Sequence, residues 1–199
     1  MRITVVIPTF NSMKFLKECV DSVLAQTYED MEIIACDNES TDGTYEYFLD
    51  IKDDRFSVIS LPNTVPNGYR EAMDYIFENS KSDYITFISS DDHIHKDYIS
   101  NCMKILNPSK PIIKCLQSGM WWMKEDGEVA SKKVHDYESP QEFKELCLKY
   151  SPVNAPTVVY HTSIGPILNK AREAHFKNDV TDIGAGDYDM WCGLVDKGI

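Results

Sequence analysis

Short runs of apolar, mostly β-branched residues alternate with longer stretches whose apolar positions recur every three or four residues, over roughly the first hundred residues. Residues 3–7 form a strand pattern that ends at Pro8. Ser12 then stands where a helix N-cap belongs, and Phe15, Leu16, Cys19, Val20, Val23 and Leu24 fall on one stripe of the helix that follows. Residues 31–36 predict a second strand, and a helix carrying Tyr45, Phe48 and Leu49 comes next. Residues 56–61 predict a third strand, followed by a helix with Tyr69, Met73, Ile76 and Phe77. Residues 84–88 predict a fourth strand, and residues 98–106 a helix closed by Asn107 and Pro108.

Near-continuous apolar strands separated by amphipathic helices imply an α/β fold, with a mostly parallel sheet covered on both faces. Right-handed crossovers make such a sheet doubly wound, as in nucleotide-binding folds. After Pro108 the pattern changes. Residues 111–116 predict a strand, and Trp121, Trp122 and Met123 before Glu125-Asp126-Gly127 predict a hairpin turning at Asp-Gly. A helix is expected over 141–149, capped at Ser139, then a short strand over 158–160 and a last helix over 188–195. Residues from about 109 onward read as an α+β extension of the same sheet, so 1–199 is expected to be a single domain.

The charge balance narrows the partners. With 20 basic and 32 acidic residues the net charge is −12, which argues against tight binding to a nucleic-acid backbone. Cys19, Cys36, Cys102, Cys115, Cys147 and Cys192 form no close pair and no CxxC, as expected of reduced, mostly buried thiols in a cytoplasmic protein. The apolar run at the N-terminus is too short for a signal peptide, and no run of 18 apolar residues could span a membrane. The chain stops at Gly198-Ile199 directly after the last expected helix, which suggests a piece of a longer protein. Peripheral membrane association is left to parts outside this chain.

Three polar clusters follow expected strands directly: Pro8-Thr9-Phe10-Asn11, residues 37–42 from Asp37 and Asn38 to Asp42, and Ser89-Ser90-Asp91-Asp92. Taken singly, each has a plain structural reading as a strand end, a turn or a helix cap. Taken together they change meaning, because open parallel sheets bind ligands beyond the carboxyl ends of their strands. Two adjacent carboxylates also repel one another unless a cation or donor offsets them. Hard oxygen ligands favour Mg2+ or Mn2+ held by one or two carboxylates together with substrate phosphates.

These motifs, in this order, resemble family 2 glycosyltransferases: Val6 to Asn11, Asp37 to Thr44, the strand at 83–88 with its acidic motif, and Asp187-Tyr188-Asp189-Met190-Trp191 before Lys197-Gly198. The resemblance implies the GT-A fold, a Rossmann-like mixed, mostly parallel sheet with helices on both faces. It implies an inverting transfer from a nucleotide sugar, UDP-linked by default, to a glycan or other hydroxyl acceptor, in surface polysaccharide or glycoconjugate synthesis. About 1–108 would be the nucleotide-sugar-binding half and about 109–199 the acceptor side. Pro8, Thr9 and Phe10 would line the base pocket, supported by Asn11, and Asp37 would accept a base N–H. Asn38 and Ser90 would join the nucleotide site. Asp91 would hold a divalent metal against the diphosphate, with Asp92 on the ribose or a metal-bound water. Asp187 would be the general base, with Trp191 packed beneath it.

The sequence departs from the family pattern at Ser89, where an Asp is usual, at Met73-Asp74, where Arg-Asn is usual, and at Gly186. Arg70 lies one turn before Met73 as a spatial substitute. His93 and His95 read as a solvated helix start, and one of Trp121 and Trp122 is expected to pack inward, the alternative being a sugar-stacking face. The first strand lacks the Gly-rich turn of a nicotinamide dehydrogenase or a P-loop. The competing reading from another class is a catalytically silent GT-A-like module that binds a nucleotide sugar or glycan.

Overall fold

Strand order places the candidate loops, and it follows from how the crossovers wind. The computed structural model describes residues 1–63, 69–107, 112–124, 126–134, 136–147, 149, 153–168, 191 and 194. The elements are β1 (Ile3–Thr9), α1 (Met13–Leu24), β2 (Met31–Asp37), α2 (Thr44–Leu49), β3 (Phe56–Ser60), α3 (Tyr69–Asn79), β4 (Tyr84–Phe87) and α4 (Tyr98–Leu106). They continue with β5 (Cys115–Gln117), β6 (Met120–Met123), β7 (Val129–Lys133), α5 (Pro140–Cys147) and β8 (Val158–His161). The main sheet runs β3-β2-β1-β4-β8-β5. β1 to β4 are mutually parallel where they pair, whereas β8 lies antiparallel between β4 and β5. The chain winds outward from β1 to β3, then returns to place β4 on the other side of β1, so the order reverses between β1 and β4.

Alternation along the strands sorts the core into two layers. Ile3, Val5 and Ile7 face Leu16, Cys19, Val20 and Val23 of α1, Phe48 of α2, and Ile99, Cys102, Met103 and Leu106 of α4. Val6, Ile85 and Phe87 face Ala72, Met73 and Ile76 of α3, together with Cys147, Val158, Tyr160, Trp191 and Leu194. Helices therefore cover both faces, as expected from the apolar runs. Tyr160 carries the second layer across the seam between the halves: it meets Phe77 and Phe87 edge-on and stacks on Trp191 at 6.0 Å.

Two apolar positions of the expected helical stripes face outward. Phe15 is 39% exposed with the Lys14 ammonium 4.5 Å over its ring, and Leu49, on the short α2, is 52% exposed. In the second half, β5 shares residues 115–116 with the expected 111–116 strand and runs on to Gln117. Ser139 caps α5 as expected, its hydroxyl accepting the Glu142 amide at 3.1 Å. Of the last expected helix, Trp191 and Leu194 are described and both are helical and buried. The five described cysteines are free thiols, with burial pushing Cys36 and Cys115 up to about 12. No helix among the described residues is long and apolar enough to cross a membrane.

Candidate functional site

The neighbours of β1 part company at its carboxyl end. Its ladder with β2 runs to Thr9 opposite Asp37, and the Asn38 amide adds a bond to the Thr9 carbonyl at 2.9 Å. The ladder with β4 stops at Val6 opposite Phe87, with a last bond from the Ile88 amide to the Val6 carbonyl at 2.8 Å. Strand alternation turns the backbone of Pro8 to the same side as that of Val6, so its missing N–H falls beyond the last β4 bond. The expected strand end at Pro8 is thus the end of one ladder only. This is also where strand order reverses, the place at which open α/β sheets bind ligands.

Three loops meet there. The loop after β1 is tied to the loop after β2 by the Asn11 amide, which donates to Ser40 Oγ at 2.9 Å, and by the Thr41 amide, which donates to Asn11 Oδ1 at 2.8 Å. Asn11 and Glu39 hold φ angles of 50° and 58°, a left-handed conformation that non-glycine residues keep when their surroundings enforce it. Asp37 is buried; its Oδ2 accepts the Ser40 amide at 3.0 Å, and its Oδ1 lies 3.4 Å from the Thr9 hydroxyl. Asn38 is fully buried, and its Oδ1 has no partner among the described residues. On the other side the Ser90 hydroxyl donates to Ser12 Oγ at 2.8 Å, joining the acidic loop after β4 to the loop after β1. Ser12 is therefore an N-cap by position without a side-chain capping bond. Phe10, at the tip of the first loop, is 37% exposed.

The acidic loop rests on α1 and on the turn that follows it. The Cys19 thiol donates to the Ser89 carbonyl at 3.4 Å, Ser22 Oγ accepts the Ile94 amide at 3.1 Å, and Gln26 Nε2 donates to the His95 carbonyl at 2.9 Å. Gln26 Oε1 also accepts the Ile99 amide at the start of α4. Cys19 and Ser22 lie three apart on α1 and Gln26 two residues past its end, so α1 and the turn that follows it fix the loop from 89 to 99. Sequence reading missed Ser22 and Gln26. The one available signal was two polar side chains close to an apolar stripe. Burial, then the nearby Asp92 and Asp91 carboxylates, push the Cys19 thiol up to about 12, so it stays a donor.

Asp91 is exposed and Asp92 is half-buried. Burial raises the Asp92 carboxyl above its ordinary range and the Asp91 charge adds to this, while His93 and the Ser89 hydroxyl pull it back. Ser89, where the family pattern has an acid, thus gives Asp92 a hydrogen-bond donor in place of a third like charge. A cation would relieve the remaining strain, and the hard oxygen donors suit Mg2+ or Mn2+. No group of three His, Cys, Asp or Glu side chains able to hold a metal occurs among the described residues, so further ligands would come from a bound phosphate or from outside that set.

Pro8, Thr9, Phe10, Asn11, Asp37, Asn38, Ser90, Asp91 and Asp92 all lie at this one end of the sheet. Asp187 and Gly186 fall outside the described residues, as does the side chain of Arg70. Met73 is buried among core side chains. His93 and His95 are exposed, and His95 Nδ1 accepts the Asp97 amide. Trp121 and Trp122 are 62% and 53% exposed, contrary to the expectation that one packs inward. The reason is topological: β6 and β7 form a two-stranded sheet that joins no other strand among the described residues.

Known proteins are similar to this chain in sequence and fold. The profile of Glycosyl transferase family 2 matches residues 4–161. The chain is 27% identical over 198 residues to the UDP-Glc:alpha-D-GlcNAc-diphosphoundecaprenol beta-1,3-glucosyltransferase WfaP of Escherichia coli, covering 99% of this chain and 71% of that protein. The crystal structure of S. aureus TarS 1–349 in complex with UDP-GlcNAc matches with a TM-score of 0.66 at 18% identity, over 98% of this chain and 54% of that one. Glucosyl-3-phosphoglycerate synthase from Mycobacterium tuberculosis, in complex with Mn2+, UDP and glucosyl-3-phosphoglycerate, matches with a TM-score of 0.55 at 18% identity, over 81% of this chain and 57% of that one. The chain spans little more than half the length of these two structures, and at such identities they bear on the fold alone. The family profile runs from β1 to the end of β8, and the chain therefore belongs to Glycosyl transferase family 2 and has the GT-A fold.

Proposed function

We propose that this chain is a single GT-A catalytic domain that transfers a sugar from a nucleoside diphosphate, UDP by preference, to an acceptor hydroxyl with inversion. In this reading 1–108 binds the nucleotide sugar and 109–199 forms the acceptor side, at work in the cytoplasm on a surface polysaccharide or glycoconjugate. The observation that carries it is the meeting of three loops where the strand order reverses, one of them bearing the adjacent acids Asp91 and Asp92. The names of the relatives add support: one uses UDP-Glc, and the two solved structures hold UDP-GlcNAc, or UDP with Mn2+.

Pro8, Thr9 and Phe10 wall the base, with Asn11 bracing their loop. Asp37 accepts a base N–H, and Asn38 Oδ1, without a partner among the described residues, offers a second acceptor. Ser90 lies beside the diphosphate, and Asp91 with Asp92 would hold Mn2+ or Mg2+. Such an ion, when bound, neutralises charge on the departing diphosphate. Asp187 takes the acceptor proton as the acceptor oxygen bonds to the anomeric carbon and the bond from that carbon to the diphosphate breaks. Attack from the face opposite the leaving group inverts the centre, and binding supplies the alignment.

A second reading, a silent GT-A module that binds a nucleotide sugar or glycan, draws on one observation: Met73 is a core residue where the family has a cationic side chain. Release of UDP from UDP-glucose and UDP-N-acetylglucosamine, with Mn2+ and without acceptor, separates the two. Catalysis predicts metal-dependent release that Asp91→Ala and Asp187→Asn both suppress. Nucleotide-sugar binding with no release from either donor would favour the silent module.

A further inference from the structure

Helix α1 starts with no acid in its first turn and no side-chain bond from Ser12, so its leading amides must be met from elsewhere. The Met13 amide donates to Asp42 Oδ2 at 3.1 Å, and the Ser12 amide donates to Thr44 Oγ1 at 3.0 Å. Asp42 Oδ1 in turn accepts the Thr44 hydroxyl at 2.6 Å and the Thr44 amide at 3.1 Å. One carboxylate thus serves the beginnings of both α1 and α2. It also aims the Thr44 hydroxyl: with its O–H committed to Asp42, the oxygen lone pairs are left for the Ser12 amide. Thr44 is fully buried, so that hydroxyl has little alternative partner in solvent. Burial acts to raise the Asp42 carboxyl, yet the bonds from Thr44 and Met13 together hold it below its ordinary range.

The elements joined in this way carry the two walls of the nucleotide site. Phe10 and left-handed Asn11 lead into α1, while Asp37, Asn38 and left-handed Glu39 lead into α2. We propose that Asp42 is a positioning residue for nucleotide binding, clasping the loop after β1 to the loop after β2 through Thr44 and the first turn of α1. This rests on the nucleotide reading above. Asp42 itself touches no nucleotide; it fixes the spacing between Phe10 and Asp37.

The test compares UDP binding, turnover and amide hydrogen exchange in the wild-type chain, Asp42→Asn, Thr44→Val, Thr44→Ser and Ser139→Ala. Ser139→Ala removes a comparable cap from α5, away from these loops, and so controls for lost stability alone. Asp42→Asn and Thr44→Val should each weaken UDP binding about fivefold, the scale of one helix cap. Thr44→Ser, which keeps the hydroxyl, and Ser139→Ala should bind as the wild type does. Turnover at saturating donor should stay within about twofold, so that the loss appears in KM. Amides over 11–13 and 40–44 should exchange faster in Asp42→Asn. Wild-type UDP affinity in both Asp42→Asn and Thr44→Val would overturn the proposal, as would an equal loss in Ser139→Ala. Absence of nucleotide binding by the wild-type chain would overturn the nucleotide reading, and this proposal with it.

Discussion

The strands before and after residue 108 bury themselves differently. β1, β2 and β4 lie inside the sheet between two helical layers, and the loops leaving β2 and β4 are each hydrogen-bonded to the loop leaving β1. Among the described residues beyond 108, only β8 is inserted to that depth; β5 is half-buried, and β6 and β7 are almost wholly exposed. Under the proposed function the contrast would serve two tasks. A ligand common to many enzymes needs a fixed pocket, which parallel strands with cross-tied loops supply. A variable acceptor is served by a region that the central sheet constrains less.

The largest effect should come from the seam that joins the halves. Phe87 is fully buried, with its ring centroid 6.1 Å from that of Phe77 and 6.3 Å from that of Tyr160. Phe87→Ala should lower the unfolding free energy in urea by about 3–5 kcal/mol. A loss under about 1 kcal/mol would mean that the two halves are not packed through this seam. Next comes Asp37→Ala, which removes a buried acceptor from the rigid side. UDP binding by calorimetry should weaken by about ten- to a hundredfold, the range for a charged hydrogen bond. An unchanged affinity would remove Asp37 from the nucleotide site.

Acid should separate the halves by pH window. Burial first, then the Lys114 charge, hold His161 of β8 below its ordinary 6.5. Between those values the unfolded chain binds the proton that the folded chain refuses, so stability falls as pH drops below about 6.5. The Arg55 guanidinium, bonded to both carboxylate oxygens, holds Asp53 below its ordinary 3.8, outweighing burial. Its contribution persists through the histidine range and is lost only as pH falls further, through the depressed carboxyl value. His161→Gln should therefore flatten the upper step of an acid-stability profile, and Asp53→Asn the lower one. A profile in which His161→Gln alters only the lower step would contradict the assignment. The smallest effect belongs to the hairpin: Trp121→Ser and Trp122→Ser should each shift stability by no more than about 0.5 kcal/mol. A loss of several times that amount would show the hairpin to be packed rather than free.

The legible part of this molecule is what periodicity records. The helix at 98–106 was expected with the bounds it has, and every strand of the first half falls within one or two residues of its apolar run. Outward faces were harder: Phe15 and Leu49 fit an apolar stripe, yet helix orientation and the shortness of α2 leave them in solvent. The paired Trp121 and Trp122 misled for a related reason, because alternation predicts a buried face only where a second layer exists to cover it. The convergence of the three polar clusters was readable from their places after strands. The bonds that lock them were not, since Asp42 meets Met13, and Ser90 meets Ser12, only once the strand order has brought β2 and β4 to either side of β1. Asp187, the expected base, lies outside the described residues, so its role stands on its motif.

The most direct test of the account is calorimetric titration of UDP into the intact chain and into Asp91→Ala, each with and without Mn2+. The account predicts binding that Mn2+ strengthens in the wild type, and the loss of that strengthening in Asp91→Ala. Mn2+-dependent binding that survives in Asp91→Ala would place the metal elsewhere, and absence of UDP binding in the intact chain would contradict the assignment of the three loops to a uridine nucleotide.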